Sequence, residues 1–136
     1  MGKETGFRNW GHGIVWYIIG IVITINLLEN STFADLPQVD RIKTEYIRVM
    51  NWASPFQNKV GMWYSFIDRP ETLTDSTAIS RIATAIVWGV RLKLLPESYL
   101  EKAELASVGL QKYLTTDGFP INVSQISRDG EALQAG

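Results

Sequence analysis

The stretch from Gly13 to Leu28 is the most apolar in the chain, and it constrains the fold more than any other segment. A helix that spans a membrane needs roughly 20 apolar residues, and this run is shorter. Thr24 and Asn26 interrupt its end, no basic cluster flanks it, and no small-residue cleavage motif follows it. We therefore expect a helix that is buried among other helices of a globular protein, because its apolar side chains point in nearly all directions.

Three further helices are predicted after this one. The second begins at Pro37 and carries apolar residues at three- and four-residue steps, the third begins near Asp75, and the fourth follows Pro96. Between the second and third helices, the aromatic run Met62–Ile67 predicts an extended loop with at most one short strand. The predicted buried stripe of the fourth helix consists of Leu100, Ala103, Ser107, Leu110 and Leu114.

The four helices alternate in character. The first and third are apolar and contain small residues, whereas the second and fourth are amphipathic. In a ring of helical hairpins, the first helix of each pair lines the inside and the second covers the outside, which produces this alternation. We therefore predict an all-α fold of two hairpins, with the first and third helices side by side and one apolar face of the first helix left exposed. Residues 1–118 are expected to form this partial ring, and residues 119–136 an irregular, partly mobile tail.

Composition excludes several classes of function. Thirteen Lys and Arg balance 14 Asp and Glu to a net charge of -1, so neither nucleic acid nor an anionic membrane surface is an expected partner. The chain has no Cys and one His, which excludes a disulfide framework, a catalytic thiolate and a multi-histidine metal site. We expect no cofactor. Five Trp, five Tyr and five Phe suit either a bulky core or a pocket that stacks sugar rings.

Four segments carry a resemblance to a known family. Their sequences are WGHGIVWY (10–17), VGMWYSFIDRPE (60–71), DSTA (75–78) and GVRLKLLPESYL (89–100). The chain resembles glycoside hydrolase families 88 and 105, in which Trp-Gly-Arg-Gly-Asn-Gly-Trp-Tyr, Gly-Leu-Trp-Tyr, Glu-Thr-Ser-x-x-Ala and Gly-Val-Arg-Leu-x-x-Leu-Pro motifs follow in this order. The resemblance covers roughly residues 10 to 118. It implies the C-terminal part of an (α/α)6 six-hairpin toroid and a cytoplasmic protein.

This resemblance also implies a reaction. These families are unsaturated glucuronyl and rhamnogalacturonyl hydrolases, which add water across the C4=C5 bond of an unsaturated uronic acid. One carboxylic acid must protonate the vinyl ether and then activate water, and no metal is required. The catalytic aspartate of the family lies upstream of the Trp-Gly-Arg-Gly motif, so no residue of this chain inherits that role. The motif's Arg, which helps bind the substrate carboxylate, is His12 here; its Asn is Ile14, and the Glu of the later helix start is Asp75.

Four residues are candidates for sugar binding: His12, Trp16, Asp75 and Trp63. His12 and Trp16 lie one helical turn apart, so both can face the cavity of a toroid. Each also has a structural alternative: Trp16 and Trp63 as core aromatics, His12 as a hydrogen-bonded histidine, and Asp75 as a plain helix cap. A capping carboxylate is occupied as an acceptor and is poorly suited to donate a proton.

Two hypotheses for the whole chain follow. In the first, it is part of an unsaturated-uronide hydrolase, its substrate an unsaturated uronic acid oligosaccharide, and it is inactive without a missing N-terminal half. In the second, it is a non-catalytic helical interaction module that buries its open faces in a homodimer or against another protein.

Overall fold

A computed structural model of the protein describes residues 9–123, and these residues form four α-helices and no strand. The helices are α1 (Gly11–Glu29), α2 (Pro37–Ala53), α3 (Ser76–Arg91) and α4 (Leu100–Gln111). One 3-10 turn, Ser54–Phe56, follows α2, and another, Glu97–Tyr99, precedes α4. The prediction of an all-α fold with four main helices is confirmed.

The helices pack as two hairpins. α1 lies against both α2 and α3, and α3 lies against α4, so α1 and α3 are the neighbouring inner helices, as predicted. The buried apolar side chains of each inner helix recur at steps of three and four residues, so they share one face and pack into a common core. The fully buried residues of α1 and α3 in this core are Val15, Ile18, Val22, Ile25, Ala78, Ile79, Ile82, Ala85 and Ile86.

The opposite face of α1 stays open, which confirms another prediction. Trp16, Tyr17, Ile23 and Leu27 are 56%, 50%, 45% and 64% exposed. With 19 residues and a mean hydropathy of 1.8, α1 is long and apolar enough to cross a membrane by length and composition alone. The core helix of a soluble protein meets the same criterion, and α1 has one face buried against α2 and α3.

An aromatic loop between the hairpins joins the N-terminal ends of α1 and α3. The Gly11 amide donates to the Ser65 carbonyl at 2.7 Å, and the Asp75 amide donates to the Trp63 carbonyl at 3.1 Å. The loop pairs through isolated bridges, Trp10 with Phe66 and Tyr64 with Thr74, and forms no strand of its own. The first turns of both inner helices are therefore held on one piece of backbone.

The buried face of α4 differs from the predicted stripe. Three residues of that stripe are exposed: Leu100, Ser107 and Leu114. The helix ends at Gln111, and its buried face consists of small residues, namely Ala103, Ala106 and Gly109. A Cβ at Gly109 would lie 2.5 Å from the Val60 carbonyl oxygen and 2.8 Å from Met62 Sδ. Ala103 was predicted on this face and is confirmed, whereas Ala106 and Gly109 lie there because the aromatic loop passes too close to the helix backbone for larger side chains.

Part of the predicted tail lies against α3. The Ser76 amide donates to the Asn122 carbonyl at 3.1 Å, and Asn122 Nδ2 donates to the Thr74 carbonyl at 2.6 Å. Residues 119–123 thus run beside the start of α3 without regular structure. The rest of the predicted tail, 124–136, lies outside the described residues.

Tyr46 connects the two hairpins through a buried hydrogen bond, and its contribution to stability is expected to depend on pH. Its hydroxyl donates to the Ala85 carbonyl at 2.6 Å in the core, and burial, together with the charge of Tyr99, raises its pKa above the ordinary 10.0. A raised pKa in the folded state stabilises the fold fully below pH 10, and this contribution is lost as the pH rises beyond that. We expect Tyr46→Phe to lower the free energy of unfolding by about 1 kcal/mol at pH 7.

Urea unfolding at pH 7 and pH 11 checks this prediction. The advantage of the wild type over Tyr46→Phe, about 1 kcal/mol at pH 7, is expected to be lost by pH 11, because only the wild type gains a tyrosinate at position 46 on unfolding and its stability falls by about 1.4 kcal/mol per pH unit above 10. A difference that is the same at both pH values would contradict the assigned effect of burial on Tyr46. Tyr17 has a raised pKa as well, but it is present in both proteins and cancels in the comparison.

Candidate functional site

The joined first turns of α1 and α3 form the candidate site. A Cβ at Gly11 would lie 2.9 Å from the Tyr64 carbonyl oxygen and 3.3 Å from Ala78 Cβ, so only glycine lets α1 start this close to the loop and to α3. The close approach sets where the next residues of α1 point, among them both sequence-predicted candidates on this helix.

A row of rings starts at this end of α1. The rings of Trp10 and His12 stack, with centroids 5.1 Å apart and planes 16° apart. Those of His12 and Trp16 are tilted by 58°, with centroids 6.3 Å apart. His12 and Trp16 are neighbours because residues four positions apart lie on the same face of a helix. The two candidates that the sequence places one turn apart do lie side by side.

Arg81 completes the row, and the sequence analysis did not single it out. Its guanidinium carbon lies 3.9 Å from the centroid of the Trp16 ring, which is a cation–π contact between α3 and α1. The signal in the sequence is the scarcity of charge on this helix. α3 carries two charged residues, Arg81 and Arg91, and Arg81 stands in the middle of the helix. We call Trp10, His12, Trp16 and Arg81 the ring cluster.

Three side-chain nitrogens of the ring cluster are buried without a hydrogen-bond partner among the described residues. They are Trp10 Nε1, His12 Nδ1 and Arg81 Nη1. A buried polar group with no partner costs free energy, and native proteins contain few of them. Because three such nitrogens lie together, the ring cluster is a candidate site for a ligand that carries hydrogen-bond acceptors.

The other two sequence candidates have structural contacts. Trp63 is fully buried, and its Nε1 donates to the Ala53 carbonyl at 2.9 Å. Asp75 is fully buried and caps α3, with one carboxylate oxygen accepting from the Thr77 amide at 2.9 Å. Both residues thus hold the loop and the helix start that carry the ring cluster, and the structure does not bring them to its surface.

Two further carboxylates lie near the start of α1. Asp68 accepts from Asn9 Nδ2 at 2.8 Å through one oxygen, while its other oxygen is buried with no hydrogen-bond partner in residues 9–123. Glu45 is partly exposed and accepts a hydrogen bond from the Tyr17 hydroxyl. Two hydrogen bonds from Arg48, both 2.7 Å long, and the one from Tyr17 lower the pKa of Glu45 to about 2. Glu45 is therefore ionised near neutral pH and cannot serve there as a proton donor.

An open apolar groove runs along α1 from the ring cluster. Its volume is 400 Å³, and its lining residues are Trp16, Tyr17, Gly20, Ile21, Thr24 and Ile42. Trp16, which belongs to the ring cluster, thus also lines the groove. Among residues 9–123, no three His, Cys, Asp or Glu side chains are grouped so as to hold a metal ion.

Comparison with solved structures shows the fold. A possible member of glycoside hydrolase family 105 from Salmonella enterica matches with a TM-score of 0.74 and 22% identity, over 92% of this chain and 33% of that one. Glycosyl hydrolase family 88 from Bacteroides vulgatus gives a TM-score of 0.78 and 17% identity, over 88% and 34%. A family 105 glycoside hydrolase from C. acetobutylicum gives 0.71 and 27%, over 86% and 34%.

The chain therefore spans about a third of the length of these structures. Its two hairpins are part of an (α/α)6 toroid, as the resemblance implies. No curated protein matches the chain. The model of Glycosyl Hydrolase Family 88 matches residues 2–133, which is nearly the whole sequence. The chain belongs to Glycosyl Hydrolase Family 88.

Proposed function

We propose that this chain supplies part of the sugar-binding wall of an enzyme that hydrates the C4=C5 bond of unsaturated uronic acid oligosaccharides, and that it has no such activity alone. The observation that carries the proposal is the ring cluster, in which Trp16 is 56% exposed at the open end of the inner helices. Membership of Glycosyl Hydrolase Family 88 supports the class of substrate.

The ring cluster suits a sugar better than it suits a fold-stabilising role. A large aromatic ring that is more than half exposed gains little from burial, yet its flat face can pack on the C–H face of a sugar. His12 lies beside it and can donate to or accept from a hydroxyl. The site thus combines an apolar platform with a few polar groups, as sugar and other small-molecule sites do.

The proposal that the chain is inactive alone depends on its acids. The chemistry needs a carboxylic acid that reaches the reacting carbon and stays protonated near neutral pH. Asp75 is buried as a helix cap, and Glu45 is ionised by its contacts with Arg48 and Tyr17. Asp68 is tied to Asn9. The acid is therefore expected to come from the part of the toroid that this chain lacks relative to its solved relatives.

Binding by the isolated chain tests the proposed site. We expect the chain to bind an unsaturated galacturonyl or glucuronyl disaccharide weakly, as measured by titration calorimetry. In Trp16→Ala, the affinity is expected to be about tenfold lower, because a ring platform contributes on the order of 1.4 kcal/mol. Phe33→Ala is the matched control, since Phe33 is also 56% exposed but lies in the connector after α1. Equal losses in both variants, or no binding by the wild type, would contradict the proposal.

A self-associating module is the second candidate function, and the open face of α1 favours it. Ile23 and Leu27 are exposed there beside Trp16 and Tyr17, and a continuous apolar face of this kind marks a contact surface. On this alternative, the chain forms a two-fold dimer through α1 and binds no uronic acid.

Mass in solution separates the two candidates. We expect Leu27→Glu to reduce self-association and hydrophobic-dye binding, with a change in unfolding free energy within about 0.5 kcal/mol, because Leu27 is 64% exposed. Ile25→Glu is the control on the buried side of α1 and is expected to unfold the protein. A wild type that stays monomeric at high concentration and binds no dye would contradict both the dimer and an apolar contact surface on α1.

A further inference from the structure

Arg81 is stacked but not paired. Its guanidinium lies over the Trp16 ring, with Cζ 3.9 Å from the centroid, and it forms no ion pair with any residue from 9 to 123. A guanidinium that stacks on a ring uses its flat face, and its five N–H donors point outward in the plane. Stacking therefore fixes the orientation of Arg81, and its buried Nη1 has no hydrogen-bond partner among the described residues.

The unpartnered nitrogens near Arg81 are donors too. Trp10 Nε1 and Arg81 Nη1 can only donate, and His12 Nδ1 donates in one of its neutral forms and in its charged form. The rings of Trp10, His12 and Trp16 form a row that ends at the guanidinium. A cluster of donors that contains a permanent positive charge selects a negatively charged acceptor, and an in-plane guanidinium edge matches the two oxygens of a carboxylate.

From this geometry we propose that Arg81 is the carboxylate-recognising residue of the site, and that it selects acidic over neutral sugars stacked at Trp16. This inference rests on the proposed function, whose sugar platform is Trp16, and it adds the residue that sets specificity. It also gives a physical account of His12, since a second Arg beside Arg81 would place two permanent positive charges at the same ring. The cation comes from α3, six residues after the Asp75 cap, rather than from the first turn of α1.

A pair of ligands that differ only in whether the carboxyl group is free or esterified tests the proposal. The probes are an unsaturated glucuronyl disaccharide and its methyl ester, and the wild-type chain is expected to prefer the acid by at least about tenfold. In Arg81→Gln, the preference for the acid over the ester is expected to fall to about one. Arg91→Gln is the matched control, because Arg91 lies on the same helix with its Cζ 5.2 Å from the Trp88 ring centroid.

Indole resonances in proton–nitrogen spectra provide a second readout. The Trp10 Nε1–H signal is expected to shift with the acid in the wild type and to shift less in Arg81→Gln, and the amide spectrum shows whether the variant is folded. If Arg81→Gln does not fold, Arg81→Met replaces it, since an apolar chain of similar length can cover the Trp16 ring. An acid preference that survives in a folded Arg81 variant would overturn this inference alone. A wild type that binds neither ligand would overturn the proposed function, and this inference with it.

Discussion

Replacing Gly61 by alanine is expected to lower the free energy of unfolding by about 2–5 kcal/mol. Gly61 has φ +87°, which costs an L-residue about 1–2 kcal/mol. A Cβ there would also overlap the Leu105 carbonyl and lie 2.9 Å from the Ala106 amide nitrogen, both of which belong to the backbone of α4. Backbone atoms in a helix cannot move aside, so the aromatic loop must shift, at a further cost of about 1–3 kcal/mol.

Two glycines of the same chain separate these contributions. Gly118 has the same φ of +87°, with no atom within 4 Å of an added Cβ, so Gly118→Ala reports the backbone term alone. Gly20 lies inside α1 with equally open space, and Gly20→Ala is expected to stabilise the protein by about 0.5–1 kcal/mol. Urea unfolding curves of the three variants are the measurement. If Gly61→Ala costs no more than Gly118→Ala, the close contact between the loop and α4 does not contribute the expected further cost.

The helices were predictable because each carries a local signal. The periodic apolar residues of α2 and α3, Pro37 at the first position of α2 and the Asp75 cap all act within one or two turns, and each predicted start agrees with the structure. The apolar character of α1 predicted neighbours on nearly all sides, whereas α2 and α3 cover one face of the helix and the opposite face stays open. Local patterns of this kind suffice where an element contacts its neighbours with one continuous face.

The buried face of α4 was not predictable in this way. It depends on how near the loop at Val60 and Gly61 comes to the helix, and this distance is set by residues about 50 positions apart. Periodicity predicted Ala103 correctly but placed Ser107 and three leucines beside it, whereas the close approach requires Ala106 and Gly109. A pattern within one helix carries no information about the size of the space that faces it.

The candidate site was half predictable for a related reason. His12 and Trp16 are neighbours on one helix, so their four-residue spacing placed them together. Arg81 comes from another helix and reaches Trp16 only because α1 and α3 pack side by side. The placement of Trp63 in the core likewise depends on its hydrogen bond to the Ala53 carbonyl at the end of α2. Contacts between elements needed the structure.

The chain alone is expected to give no hydration of unsaturated uronides, and the complete toroid is expected to restore it. The measurement is the loss of ultraviolet absorbance of the conjugated C4=C5 bond in an unsaturated galacturonyl or glucuronyl disaccharide. The complementing partner is the segment of the Bacteroides vulgatus family 88 structure that this chain does not match, which is about two thirds of that protein. Turnover that needs both pieces would place the proton donor outside this chain.

This expectation follows from the surroundings of the acidic residues of the chain. A carboxylate acts as a general acid here only if it reaches the sugar and holds a proton near neutral pH. Asp75 is buried as the cap of α3, and Asp68 accepts a hydrogen bond from Asn9. In the complemented enzyme, we therefore expect Asp75→Asn and Asp68→Asn to change the rate only as far as they destabilise the fold. Trp16→Ala in the same assembly is expected to reduce kcat/KM by about tenfold or more, because the platform positions the reacting carbons. Turnover by the purified chain without its partner, abolished by Asp75→Asn or Asp68→Asn but not by Trp16→Ala, would make that aspartate catalytic and refute the division of roles between the two parts.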